Sequence, residues 1–229
     1  MTTKEVIARL KQLADTGHRE RMANFGIAAG RNLGVSAPKL RALAKELGKN
    51  QKLATSLWNT RIHEARLLAA MISDPETITE EVLDRWVGEI DSWDICDGFC
   101  GGLVDKTPFA AAKVFEWTER EEQFVRRAGF VVIAALAVHD KRAPDSMLEQ
   151  FFPLLIRHAG DERNFVKKAL NWALREIGKR NPALNRKAIA VALKLRKQPS
   201  QSARWIAADA LRELRSEAVQ RRLGRRIER

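Results

Sequence analysis

The chain has 229 residues, of which 45% are hydrophobic and 31% charged, enough apolar material for one sizeable core and ordinary for a globular protein. Its 41 lysines and arginines against 29 acidic residues give a net charge of +12, which favours polyanionic partners through long-range attraction and says nothing about fold. Two cysteines, Cys96 and Cys100, exclude a disulfide framework, and the longest apolar run, Ala128 to Val138, is too short to span a bilayer.

The N-terminus begins MTTKEVIARLKQL, charged and amphipathic with no apolar signal core, so a soluble cytoplasmic protein is expected. Period-2 alternation is not sustained anywhere, and segment after segment shows helical spacing instead. Helices are predicted over 3–15, 38–48, 50–58, 61–73, 79–90, 92–105, 108–117, 121–139, 144–158, 162–180, 183–197, 200–214 and 216–227. Breakers separate them at Gly34 to Pro38, Asp74-Pro75, Thr107-Pro108, Ala143-Pro144, Asn181-Pro182 and Gln198-Pro199-Ser200. Phe124-Val-Arg-Arg-Ala128 recurs 41 residues later as Phe165-Val-Lys-Lys-Ala169, and Ser202-Ala-Arg-Trp-Ile-Ala207 follows after a similar interval. A degenerate helix-pair repeat near this length is the pattern of HEAT-like solenoids, in which no pair buries its apolar face alone. The expected fold is therefore all-α, a single domain over 1–229 stacked into a curved solenoid with a basic concave face.

Two helices carry candidate chemistry. In 92–105, Ser92 or Asp91 suits the N-cap, and Ile95, Phe99 and Leu103 form an apolar stripe. Trp93 and Asp97, four apart, share a face beside that stripe. Gly98, Gly101 and Gly102 suggest close approach by another backbone or a ligand. The alternative, which spacing alone favours, is a packing helix whose Asp97 pairs with an arginine. In 162–180, Ala169, Leu170, Ala173, Leu174 and Ile177 form the core stripe, while Lys168, Trp172, Arg175 and Lys179 gather on the other side. An indole among cations suits a sugar-phosphate backbone, and equally a ring packed under long basic stems. Arg127 enters at the edge of the apolar run 128–138 and needs a carboxylate or a phosphate as partner. Asp97 is one candidate. Arg221, Arg222, Arg225 and Arg226 either add phosphate contacts or form a solvated tail, and the tail is the expectation. His18, His63, His139 and His158 are scattered, no set completes a metal site with the cysteines, and no phosphate loop or nucleophile–base pair occurs.

The runs Ser92-Trp-Asp-Ile-Cys-Asp97, Arg126-Arg127-Ala128, Lys167-Lys-Ala-Leu-Asn-Trp-Ala-Leu-Arg-Glu176 and Asn32-Leu-Gly-Val-Ser-Ala-Pro-Lys39 resemble the AlkD-like DNA alkylation repair family, over roughly residues 25 to 215. One departure is Ser92-Trp93, where that family often has a doubled tryptophan. The resemblance implies a HEAT-like-repeat DNA glycosylase that removes cationic N3- and N7-alkylated purines from double-stranded DNA. It implies catalytic roles for Trp93, Asp97 and Trp172 and DNA contacts for Arg127 and Arg175, which Lys168, Lys179 and Arg126 would join. No metal or cofactor is expected, no membrane partner, and a monomer associated with the nucleoid when bound to DNA. Two alternatives stay open: a non-catalytic DNA- or RNA-binding repeat protein, and a protein-interaction scaffold.

Overall fold

The computed structural model describes residues 1–27 and 32–227, with side chains described through position 224. Among the described residues there is no strand, and no helix is long and apolar enough to cross a membrane. Contacts divide the chain into two compact units, Met1–Phe109 and Ala110–Arg229.

The first unit holds α1 (Thr3–Gln12), α2 (Thr16–Ala23), α3 (Ala37–Leu47), α4 (Gln51–Trp58), α5 (His63–Ile72), α6 (Glu80–Gly88) and α7 (Trp93–Gly102), the last followed by a 3-10 turn at Val104–Lys106. Thr2 and Glu5 close a capping box at the start of α1. α2 was not expected from sequence. It buries none of its residues, so it has no apolar stripe to reveal it, and it starts because Asp15 accepts from the His18 amide at 2.8 Å. The core centres on Trp58 and Trp86, stacked 4.3 Å apart at 2°, with Phe99 tilted against both. Arg66 is buried over the Trp58 ring at 5.1 Å and donates to the Glu89 carbonyl at 2.8 Å.

Glu64 on α5 is wholly buried and anchors the loop before α3. Its carboxylate accepts from the amides of Leu33 (2.9 Å), Gly34 (2.7 Å) and Val35 (3.2 Å). Gly34 sits at φ +78, and a Cβ there would lie 2.1 Å from the Asp15 carbonyl oxygen, so only glycine fits. The family-like Asn32–Lys39 segment is thus held by a charge 30 residues away.

The second unit holds α8 (Ala110–Thr118), α9 (Gln123–His139), α10 (Asp145–Glu149), α11 (Phe152–His158), α12 (Asn164–Gly178), α13 (Pro182–Arg196), α14 (Gln201–Leu214) and α15 (Glu217–Ile227). The single helix predicted over 144–158 is instead two. Pro153 has no amide to donate and its ring would clash with the carbonyl four residues back, so the helix stops at Glu149 and restarts with Pro153 in its first turn. α9 is buried from Ala128 through Ala137 and packs between α8 and α12. The repeat is visible in space: Phe124 and Phe165, equivalent positions on α9 and α12, lie ring to ring at 5.5 Å. α12 in turn packs on α13 and α14. The helix expected over 216–227 forms as α15, which buries Val219 and Leu223 at helical spacing and leaves Arg221 and Arg222 exposed. The side chains of Arg225 and Arg226 lie outside the described residues.

Candidate nucleic-acid interface

In the first unit the candidate residues sit on α7. Ile95, Cys96, Phe99 and Cys100 are buried, and both cysteines are free thiols within the core. Trp93, Asp97 and Gly101 occupy successive turns of the opposite, half-buried face, with Gly98 and Gly102 beside them. A Cβ on Gly98 would press 3.1 Å from Leu67, whereas one on Gly102 would meet nothing within 4 Å. The glycines were expected to admit another backbone or a ligand; Gly98 is instead approached by the Leu67 side chain, and Gly102 faces open space. The Trp93 indole donates to the Phe25 carbonyl at 2.9 Å, which fixes the ring edge, and the residue is half-buried.

Ser92 occupies the N-cap position but makes no cap hydrogen bond. Its hydroxyl donates instead to Asp94 Oδ1 at 2.7 Å, while Asp94 Oδ2 lies 2.7 Å from Nε2 of the buried His63. Burial alone would raise the Asp94 pKa, but the hydrogen bond and charge of His63 and the Ser92 hydroxyl outweigh it and hold the carboxyl below its usual value. This pair ties α7 to α5. A largely apolar cavity of about 290 Å³ opens beside it, lined by His18, Met22, Phe25, Leu40, Trp93 and Asp94 among others.

The remaining candidates lie in the second unit, on α9 and α12. Arg127 is 5% exposed and gives Nη1 to the Phe165 carbonyl at 2.6 Å. Arg126 donates to the Thr118 carbonyl at 3.1 Å and to Asp161 at 3.0 Å, tying α9 to the end of α8 and the start of α12. On α12 the predicted cluster of Trp172, Arg175 and Lys179 forms, but it carries carboxylates that the helical wheel did not weigh. Trp172 Nε1 donates to Glu176 at 3.2 Å, and Lys179 bridges Glu176 (2.6 Å) and Glu213 of α14 (2.8 Å). Glu213 also binds Arg175, whose Nε lies 3.7 Å from Asp209. Burial would raise the Glu213 pKa, and the hydrogen bonds from Lys179 and Arg175 lower it instead. Asp209 accepts from Asn171 at 2.7 Å and completes the seam between α12 and α14. Lys168, by contrast, is exposed, one turn before Trp172. Glu176 was legible four residues after Trp172 and three before Lys179; Asp209, Glu213, His63 and Asp94 had no local signal.

The family model described as DNA alkylation repair enzyme matches residues 6–214. The chain belongs to this DNA alkylation repair enzyme family. Among solved structures, one described as "a new family of proteins related to the HEAT-like repeat DNA glycosylases with affinity for branched DNA structures" is similar over 98% of this chain and 97% of that one, with a TM-score of 0.82 at 19% identity. This likeness gives the chain's fold class, an all-α HEAT-like repeat. A designed armadillo repeat protein in complex with a (KR)4 peptide covers 82% of this chain and 90% of its own at 16% identity, with a TM-score of 0.39, too low to bear on the fold. No curated protein sequence matches the chain.

Proposed function

We propose that this family member is a DNA glycosylase that hydrolyses the N-glycosidic bond of cationic N3- and N7-alkylated purines in duplex DNA. One observation carries the reading: α7 buries one face completely and sets Trp93, Asp97 and Gly101 on successive turns of its half-buried face, an aromatic ring and a carboxylate beside glycines. An alkylated purine already bears positive charge and leaves as the neutral base when the bond to the sugar breaks. The electron pair of that bond goes to the base, and positive charge develops on the sugar until water adds and gives up a proton. Asp97 stabilises that charge and orients the water, while the Trp93 face attracts the cation and excludes solvent. Trp172 and the arginines Arg127 and Arg175 enter the proposal on their motifs. Arg126 belongs to the same helix turn as Arg127. Arg175 and Lys179 reach a phosphate only by exchanging carboxylate partners for it, whereas Lys168 meets one directly.

The test is release of free 7-methylguanine from methylated duplex DNA with protein in excess. Asp97→Asn is expected to lower release by about a hundredfold, the scale of removing one electrostatic stabiliser, with DNA affinity kept. Equal loss of release and affinity would assign Asp97 to packing. A second reading, DNA binding without excision, is favoured by the similar solved protein described as having affinity for branched DNA structures. Salt-dependent binding with no release above the spontaneous rate would establish it.

A further inference from the structure

Trp205 on α14 takes no part in the site above, yet it is 40% exposed, an unusual placement for the largest apolar side chain. Its surroundings are cationic. Lys167 of α12 holds its ammonium 5.5 Å from the indole ring centroid. Lys168 is exposed beside it on α12, and Arg204 is exposed beside Trp205 on α14. Along α14 and at its C-cap the residues exposed at helical spacing with Trp205 are Gln201, Ala208, Arg212 and the C-cap Arg215. Arg204 is anchored by a 2.6 Å hydrogen bond to the Pro199 carbonyl, which keeps its guanidinium near the start of the helix.

The repeat sharpens the point. Arg126-Arg127, Lys167-Lys168 and Arg204-Trp205 occupy equivalent positions on α9, α12 and α14. Two of the three pairs are doubly basic. The third keeps its first cation and replaces the second with a ring left in solvent.

We propose that Trp205 is a stacking platform for an unpaired DNA base, with Lys167, Lys168 and Arg204 neutralising the phosphates on either side of it. This rests on the reading that the protein binds DNA. An indole face cannot stack on the bases of an intact duplex, which offers phosphates and base edges while its base faces stay inside the stack. A single-stranded tail, end or branch offers a free base face next to phosphates, and stacking on a ring backed by a cation serves that geometry. A protein partner would call for an apolar patch, and around Trp205 the exposed neighbours are Ala208 and charged or polar residues.

The experiment compares two DNAs of the same sequence, one a full duplex and one carrying a single-stranded thymidine tail, by titration at fixed salt. The proteins are the unaltered chain, Trp205→Leu, which keeps apolar bulk without a ring, and Trp205→Phe, which keeps a ring. The unaltered chain is expected to prefer the tailed DNA; Trp205→Leu is expected to lose about tenfold in affinity for the tail and about twofold or less for the duplex, with Trp205→Phe recovering most of the loss. Equal losses on both DNAs, or equal behaviour of the Leu and Phe variants, would overturn the platform while leaving DNA binding standing. Failure of the unaltered chain to bind either DNA would overturn the function proposed above together with this one.

Discussion

Asp161 gathers two guanidinium groups just before α12: Arg126 at 3.0 Å, and Arg163 at 2.9 Å to one oxygen and 2.5 Å to the other. Burial would raise its pKa, but the hydrogen bonds from Arg163 and Arg126 prevail and bring it to about 2 from an ordinary 3.8. A carboxyl whose pKa is depressed by folding stabilises the fold above its unfolded value and loses that contribution as pH falls toward the folded value. The difference corresponds to about 2 kcal/mol. Asp161→Asn is therefore expected to lower the urea midpoint at pH 7, and the gap from the unaltered chain to narrow only below about pH 4. A gap that stays constant from pH 7 to pH 3 would refute this assignment. Asp161 also shows which side chains local spacing reveals. Trp93 and Asp97 stand four apart on one helix, so periodicity alone places them on one face. Asp161 with Arg126, Glu64 with the Leu33–Val35 amides, and His63 with Asp94 join positions 29 or more residues apart, and no local pattern encodes such meetings. For the same reason the wheel assembled the α12 cations correctly and missed Asp209 and Glu213, which α14 brings to them.

Helices were legible wherever a stripe had to be buried. α9 announced itself by its apolar run, and α12 by a core stripe that the structure buries residue for residue. α2 escaped because it buries nothing, and the break between α10 and α11 because Pro153 outweighs an otherwise continuous pattern. Glycine behaves in a way that only packing explains. Gly129 lies inside α9, where helix propensity would prefer alanine, yet a Cβ there would stand 2.6 Å from Thr118 Cγ2 and 2.9 Å from the Thr118 backbone nitrogen. Rotating the Thr118 side chain relieves only the first clash. Gly129→Ala is expected to cost about 1–3 kcal/mol despite the gain in propensity, by prying α9 from α8. Gly224→Ala on α15, with nothing within 4 Å of the new methyl, should instead stabilise by about 0.5–1 kcal/mol. Thermal melting of the two variants checks both signs, and a stabilised Gly129→Ala would show that α8 and α9 yield more readily than their backbone contact implies.

For the whole molecule, the excess of twelve positive charges is not spread evenly over available cations. Arg66 and Arg127 are buried, Arg126 and Arg163 hold Asp161, and Arg175 and Lys179 hold Glu176, Asp209 and Glu213. Cations already bound to carboxylates contribute little to counterion release on DNA, because a phosphate taking their place leaves a carboxylate that recruits a counterion in turn. The salt dependence of binding should then report the exposed cations. If roughly five phosphates are neutralised, affinity falls on the order of several hundredfold between 50 and 200 mM salt. Lys168→Ala should reduce the slope of log affinity against log salt by about one, while Lys179→Ala should change it by much less. A full unit lost at Lys179 would mean that the α12–α14 seam opens on DNA and that Glu213 gives up its cations to the phosphate backbone. The charged seam would then be a latent part of the interface, and its carboxylates would act as competitors that bound DNA has to displace.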